Sequence, residues 1–273
     1  MTDSTHIFRI LVPCDYSPAC RQALEACATF DWRMPVEVFV LTVEDPMQAS
    51  SEGLKADRLL GEWLAAFLPD IKVLKLQAKG RFVTAVLEAV SVQGIDLVLV
   101  GTRGARGWDG VFVGSHAEKI VRVSPVPVVT FHQQPHFGGL KNIVVPIDID
   151  RDPTALRSCL AKLSGLFEGR FHLLYVKTDQ TRDEQAAMES LAEYGRKLGL
   201  AHCIKAVVQA EEVAEGILRY ADLEGADLIA MGTLGDPDPA HMFRPSVAAD
   251  IVNHAKIPVF TCQPRHQQAA ASH

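Results

Sequence analysis

Arg9-Ile-Leu-Val-Pro-Cys-Asp15 and Asn142-Ile-Val-Val-Pro-Ile-Asp148 are one phrase written twice, 133 residues apart. Each is a β-rich apolar run that closes on Pro, one further residue and Asp. Two more pairs keep nearly the same offset. Gly94-Ile-Asp-Leu-Val-Leu-Val-Gly-Thr-Arg-Gly104 returns as Gly225-Ala-Asp-Leu-Ile-Ala-Met-Gly-Thr-Leu-Gly235, and Val126-Pro-Val-Val129 returns as Ile257-Pro-Val-Phe260, both at 131. A period of about 130 is too long for a solenoid unit and signals two copies of a whole domain. A 273-residue chain has room for two. The expected division is residues 1–133, a linker at 134–140 where His, Pro and Gly cluster, a second copy at 141–265, and a tail at 266–273 expected to be disordered.

In the first copy strand-like and helix-like stretches alternate. Ile7–Val12, Val36–Val43, Ile71–Leu76, Ile95–Val100 and Val126–Phe131 read as strands. Pro18–Phe30, Glu52–Phe67, Phe82–Val92 and Ser115–Val123 carry apolar residues at helical spacing. The second copy repeats the order from Ile143 to Thr261. Strands separated by helices imply α/β architecture, a parallel sheet covered on both faces and right-handed crossovers. Ligands of such doubly wound sheets bind beyond the carboxyl ends of the strands, where the strand order switches. The loops that matter therefore follow the first and fourth strands.

The loop after the fourth strand holds five glycines, Gly101, Gly104, Gly107, Gly110 and Gly114, and then Ser115 opens a helix. Glycine lets a ligand approach the backbone, and a helix amino terminus offers unpaired N–H groups and a positive dipole end. Together they suit a phosphate. The loop is not a Walker A loop, because no Lys precedes Ser115, and it is not GxGxxG. A mobile glycine-rich turn with no ligand is the competing account. Arg103 and Arg106 suit either reading, as phosphate contacts or as solvated charges, and Trp108 reads as a loop anchor.

The spacing Gly101-x2-Gly104-x9-Gly114-Ser115 resembles the nucleotide loop of the universal stress proteins. Val12-Pro-Cys-Asp-Tyr-Ser17 resembles that family's first-strand motif, and Ser124-Pro-Val-Pro-Val-Val129 its last strand. The resemblance covers both halves, roughly Ile7–His132 and Lys141–Gln263. It implies two tandem five-stranded open sheets of strand order 3-2-1-4-5 and, in many members, bound ATP. Carried over by position, Pro13, Cys14 and Asp15 would meet the adenine or ribose side and Val43 would wall the base. Gly101, Gly104, Gly114 and Ser115 would hold the phosphates, with Thr102, Arg103 and His116 beside them and magnesium as an optional companion. Related single-domain members dimerise through the fifth strand. The resemblance thus implies an intramolecular pseudo-dimer in which Val126–Phe131 meets Ile257–Cys262. A further homodimer and an unidentified protein partner stay open.

The second copy departs from the motif. Gly232, Gly235 and Ser246 are kept, but Pro245 stands where the first copy has Gly114. Proline has no N–H to donate and blocks close approach. Asp236 and Asp238 would repel phosphate, Pro237 and Pro239 stiffen the loop, and Arg244 and His241 offset this only partly. The second copy reads as a half that keeps the fold and loses the nucleotide, or that takes a less anionic ligand.

Composition excludes several function classes. The formal net charge is −6 and aromatic residues make up 7%, which gives no bulk attraction to nucleic acid or anionic membrane and no stacking platform. Neither a signal peptide nor a run of membrane-spanning length is visible, so a cytoplasmic location is expected. The cysteines, Cys14, Cys20, Cys27, Cys159, Cys203 and Cys262, contain no CxxC pair and read as reduced thiols, with Cys20 and Cys27 in a core stripe. The ten histidines show no metal-binding spacing, and Ser115 has no visible His–Asp support, so no catalytic residues are assigned. Two function classes remain. One is a nucleotide-responsive stress or signalling protein. The other is an enzyme of the same fold, such as an ATP pyrophosphatase or nucleotidyl transferase, but the SGGxDS and HxGH motifs of those enzymes are missing. Slow ATP hydrolysis and a nucleotide-independent interaction role are the alternatives.

Overall fold

In the computed structural model the described residues are 7–29, 32–44, 51–102, 115–131, 139–151, 154–166, 168–178, 183–200, 202–232 and 247–263. The first half runs β1 (Phe8–Cys14), α1 (Pro18–Thr29), β2 (Val36–Glu44), α2 (Ser51–Phe67), β3 (Lys72–Lys79), α3 (Phe82–Gln93), β4 (Leu97–Gly101), α4 (Ser115–Val123) and β5 (Val128–Phe131). The second runs β6 (Asn142–Pro146), α5 (Thr154–Leu166), β7 (Arg170–Lys177), α6 (Glu184–Leu198), β8 (Ile204–Gln209), α7 (Val213–Leu223), β9 (Leu228–Gly232), α8 (Val247–His254) and β10 (Val259–Cys262). Element ends differ from the pattern reading by no more than three residues, and several coincide.

Each half has the order 3-2-1-4-5, and the two are joined in one ten-stranded sheet, β3-β2-β1-β4-β5-β10-β9-β6-β7-β8. All pairings are parallel except the central one, where β5 and β10 run antiparallel with Val129 opposite Phe260. The joint has internal twofold character. Thr130 Oγ1 donates to the carbonyl of Val259 at 3.5 Å and its counterpart Thr261 Oγ1 donates to that of Val128 at 3.2 Å. Two separate open sheets would each leave a fifth strand with unpaired backbone groups, and the antiparallel ladder removes both edges. The prolines expected at an edge do not interrupt it. Pro127 and Pro258 stand just ahead of β5 and β10, and their carbonyls accept from Val98 N and Ile229 N at 3.0 and 3.1 Å.

Strand residues are apolar on both faces because helices cover both. On one face α1, α2, α5 and α6 close over Ile10, Val12, Val40, Leu99, Phe131, Val145 and Phe260. On the other α3, α4, α7 and α8 close over Leu11, Leu41, Val98, Val144, Leu174 and Ile229. Two aspartates fix the amino ends of the central strands. Asp96 accepts from Arg9 N at 3.1 Å, and Asp227 accepts from Lys141 N and Asn142 N at 2.8 and 2.9 Å.

The thiols are not all reduced. Cys159 of α5 and Cys262 of β10 form a disulfide with a Cα–Cα separation of 6.3 Å, while Cys14, Cys20, Cys27 and Cys203 are free. Sequence spacing missed this pair because packing, not proximity along the chain, brings the last strand onto the first helix of its half. Cys20 and Cys27 are buried in the core, as their seven-residue spacing on one helix face predicts.

Candidate functional site

β1 pairs with β2 on one side and β4 on the other, so the order switches at its carboxyl end, where Asp15 is exposed. The turn there is held by local bonds. Asp15 Oδ1 accepts from Ser17 N at 3.0 Å, and Ser17 Oγ accepts from Cys20 N at 3.2 Å, capping α1. Between them Tyr16 sits at φ 60°, a left-handed conformation that a bulky residue adopts only when its surroundings over-determine it. Its phenol donates to Asp57 Oδ1 of α2 at 3.2 Å. Burial, then the Asp57 charge, pushes the Tyr16 phenol up to about 12.

Strand alternation sorts the expected site residues onto two faces. Val43 is half-buried on the α3/α4 face, opposite Ala78 of β3, and Phe82 packs on the same core. Pro13, opposite Leu41 in the ladder, is buried on the same side by alternation. His116, exposed in the first turn of α4, packs on the Phe82 ring with centroids 4.9 Å apart. These residues lie on one face of the sheet, at the carboxyl end of the strands where Asp15 is exposed. Cys14 is not on this face: its thiol is buried in the α1/α2 core on the opposite side, so only its backbone borders the turn. Phe82 is the contributor that motif reading missed. Its place at the start of a helix, after Gly80 and Arg81 close the preceding strand, was the available signal.

Gly101 and Thr102 end β4 under tight constraint. A Cβ on Gly101 would lie 2.3 Å from the carbonyl oxygen of Ala19, so glycine is what lets the strand end pass under the first turn of α1. Thr102 is buried, and both its N and its Oγ1 donate to the Phe131 carbonyl, at 3.1 and 2.9 Å. Its hydroxyl therefore ties the end of β4 to β5. Arg103, Gly104 and Gly114 lie outside the described residues, as do Gly235, Pro245 and Ser246 of the second loop, residues 134–138 of the expected linker and the 266–273 tail. Ser115 is described as the backbone start of α4.

The equivalent residues of the second half make different contacts. Asp148 repeats the turn, Oδ1 accepting from Asp150 N at 3.1 Å, but its carboxylate is bridged by Arg151 at 3.0 Å. The Tyr194 hydroxyl of α6 is shared between the carbonyls of Ile149 and Arg151, which ties the turn down. Val176, counterpart of Val43, is buried. The position matching Ala85 of α3 is Gly216 of α7, and a Cβ there would meet Val176 Cγ1 at 2.6 Å. Without that methyl the helix settles onto the valine and closes the apolar wall. Val247 replaces His116 and Val213 replaces Phe82. The Ala85/Gly216 difference is written in the sequence, but its consequence is a matter of helix-to-sheet distance.

Among the described residues, no cluster of three or more His, Cys, Asp and Glu side chains could hold a metal ion, and no helix is long and apolar enough to cross a membrane.

Comparison with known proteins bears on the fold and the family. The model of the universal stress protein family matches twice, at residues 6–132 and 139–263. A universal stress protein of Synechocystis sp. is 27% identical over 61% of this chain, and one from Thermus aquaticus is 34% identical over 28% of it. The chain spans just over half the length of these relatives, 57% and 54%. Among solved structures, a universal stress protein from Archaeoglobus fulgidus superposes with a TM-score of 0.72, covering 94% of this chain and 96% of that one at 23% identity. With a family match over each half and the same strand order in both, the chain belongs to the universal stress protein family as a tandem pair of its domains.

Proposed function

We propose that the first half binds one adenine nucleotide, ATP, and that the chain acts as a nucleotide-responsive stress or signalling protein of the cytoplasm. The observation that carries this is the contrast between the halves. Asp15 is exposed at the sheet end that carries half-buried Val43 and the Phe82–His116 pair, whereas Asp148 is bridged by Arg151 and Val176 is buried under α7. An adenosine needs an apolar wall for the base and an acceptor for ribose hydroxyls, and the residues on this face fit both. The backbone N–H groups at the start of α4, with Gly104, Gly114, Ser115 and Arg103, would take the phosphates. Magnesium, where present, would be held mainly by those phosphates. No residue is assigned to catalysis.

Calorimetry on the full chain tests the reading, with one site per chain expected. Two equivalent sites, or none, would overturn it. Binding to the folded state stabilises by about 2.7 kcal/mol at a hundredfold excess of ligand over Kd. ATP should therefore raise the melting temperature, Asp15→Ala should reduce that rise, and Gly114→Pro, which copies Pro245, should abolish it.

A further inference from the structure

We infer that β8 is a docking edge for a second copy of this chain, which adds its own β8 antiparallel and extends the sheet across a twofold axis at Val207. The ten-stranded sheet ends on β3 and β8, and each has a neighbour on one side only among the described residues. The two ends are guarded differently. β3 carries Lys72, Lys75 and Lys79 among its eight residues, the common charge device against edge pairing. β8 carries one lysine in six, and Lys205 Nζ turns back to the Cys203 carbonyl at 3.4 Å. The rest of β8 is Ile204, Ala206, Val207, Val208 and Gln209, with no proline, glycine or acidic residue. Ile204 is 40% exposed, and Ala206, Val207 and Val208 are half-buried.

Backbone direction fixes which groups this edge offers. Ala210 N donates to the Lys177 carbonyl of β7 at 3.1 Å. The N–H and C=O of one strand residue point the same way, and the direction alternates along the strand. Ala206 and Val208 therefore also face β7, while Lys205, Val207 and Gln209 face outward. Two contacts agree with this phase. The carbonyls of Cys203 and Gln209, both in the outward set, are met by the side chains of Lys205 and Arg219 and not by β7. A carbonyl oxygen has two lone pairs, so the Arg219 contact leaves Gln209 able to accept again.

An antiparallel partner must set outward residues against outward residues. The register that uses all three is centred on Val207, which meets Val207 of the second copy, with Lys205 opposite Gln209 of the second copy at either end. Each such pair exchanges two backbone hydrogen bonds. On the other face Ile204 meets Ala210 and Ala206 meets Val208, which covers the exposed isoleucine. No like charges oppose one another, and the pattern is self-complementary, as a twofold interface requires. The β5–β10 joint shows that this fold already accepts an antiparallel ladder between two such sheets. Pairing β8 with β8 consumes the edge in both copies, so association stops at two chains, whereas β8 on β3 would repeat without closing.

Sedimentation velocity on the full chain over a concentration series tests this, with a monomer–dimer equilibrium expected. Gln209→Lys, at an exposed position, sets two like-charge pairs across the axis and should weaken the dimer roughly tenfold. Lys205→Glu alone opposes glutamate to glutamine and should change the affinity far less. The double variant Lys205→Glu/Gln209→Lys places opposite charges at the same two points and should restore the dimer. Hydrogen exchange on the unsubstituted chain gives a readout that needs no variant. Amides of residues 204–209 should slow as the concentration passes through the transition, and those of β3 should not. A chain that stays monomeric, growth beyond a dimer, or a dimer indifferent to Gln209→Lys with no slowing at β8 would each overturn the inference.

Discussion

Acid should weaken the second half through His172, and His172→Phe should remove that sensitivity. The imidazole is 2% exposed on β7, with Nδ1 3.1 Å from the Tyr220 hydroxyl of α7 and no partner for Nε2 among the described residues. Protonation would place a charge in the core with Nε2 still lacking a partner. Burial therefore pushes the His172 pKa down, with Glu224 opposing and Arg170 assisting. The folded state stays neutral in a range where the unfolded chain, with an ordinary histidine near 6.5, takes up a proton. Unfolding then binds a proton, so the stability that a neutral His172 contributes is present above about pH 6.5 and is lost as pH falls toward the folded-state value. Between those two values stability falls at a slope no steeper than about 1.4 kcal/mol per pH unit. The first half holds Phe39 at the equivalent position, so phenylalanine is a side chain this fold already accepts there. Urea unfolding of both proteins across that pH range gives the test, read as the difference between their pH dependences. If the two curves run parallel within about 0.3 kcal/mol, His172 titrates normally in the folded chain and the argument from burial fails.

Three other outcomes follow from single contacts. Reducing the Cys159–Cys262 disulfide, which closes a stretch of 103 residues, should lower stability by up to about 5 kcal/mol, seen as a lower urea midpoint in dithiothreitol; an unchanged midpoint would mean the bond does not constrain the unfolded chain. Gly101→Ala would drive a methyl into the Ala19 carbonyl and should cost about 1–3 kcal/mol in thermal unfolding, and a neutral result would show that α1 can shift freely. Gly216→Ala should also destabilise, because clash with Val176 outweighs the gain in helix propensity of about 1 kcal/mol; in a Val176→Ala background the same change should turn neutral or stabilising, and additive effects would refute the contact.

Much of this molecule was legible in its sequence because the signals are local or repeated. The duplicated Val-Pro-x-Asp phrase, the period near 130 and the strand–helix alternation carry the fold class, since a fully buried parallel strand must be apolar on both faces and its crossover must be a helix. Asp15 and the glycine run mark the switch point for the same reason, because turn chemistry is written in adjacent residues. What folding in three dimensions decided is set by distances between elements that the chain does not place side by side. The two sheets merge into one because β5 and β10 each lack a partner and meet antiparallel. Cys159 finds Cys262 across 103 residues. Cys14 turns away from the face that carries Val43, because strand alternation puts them on opposite sides of the sheet. The halves part company at Gly216, where one missing methyl lets a helix settle on Val176, and at Arg151, whose side chain folds back on Asp148. Each of these residues is visible in the sequence, but which atom it reaches depends on packing, and packing is a property of the assembled sheet and helices.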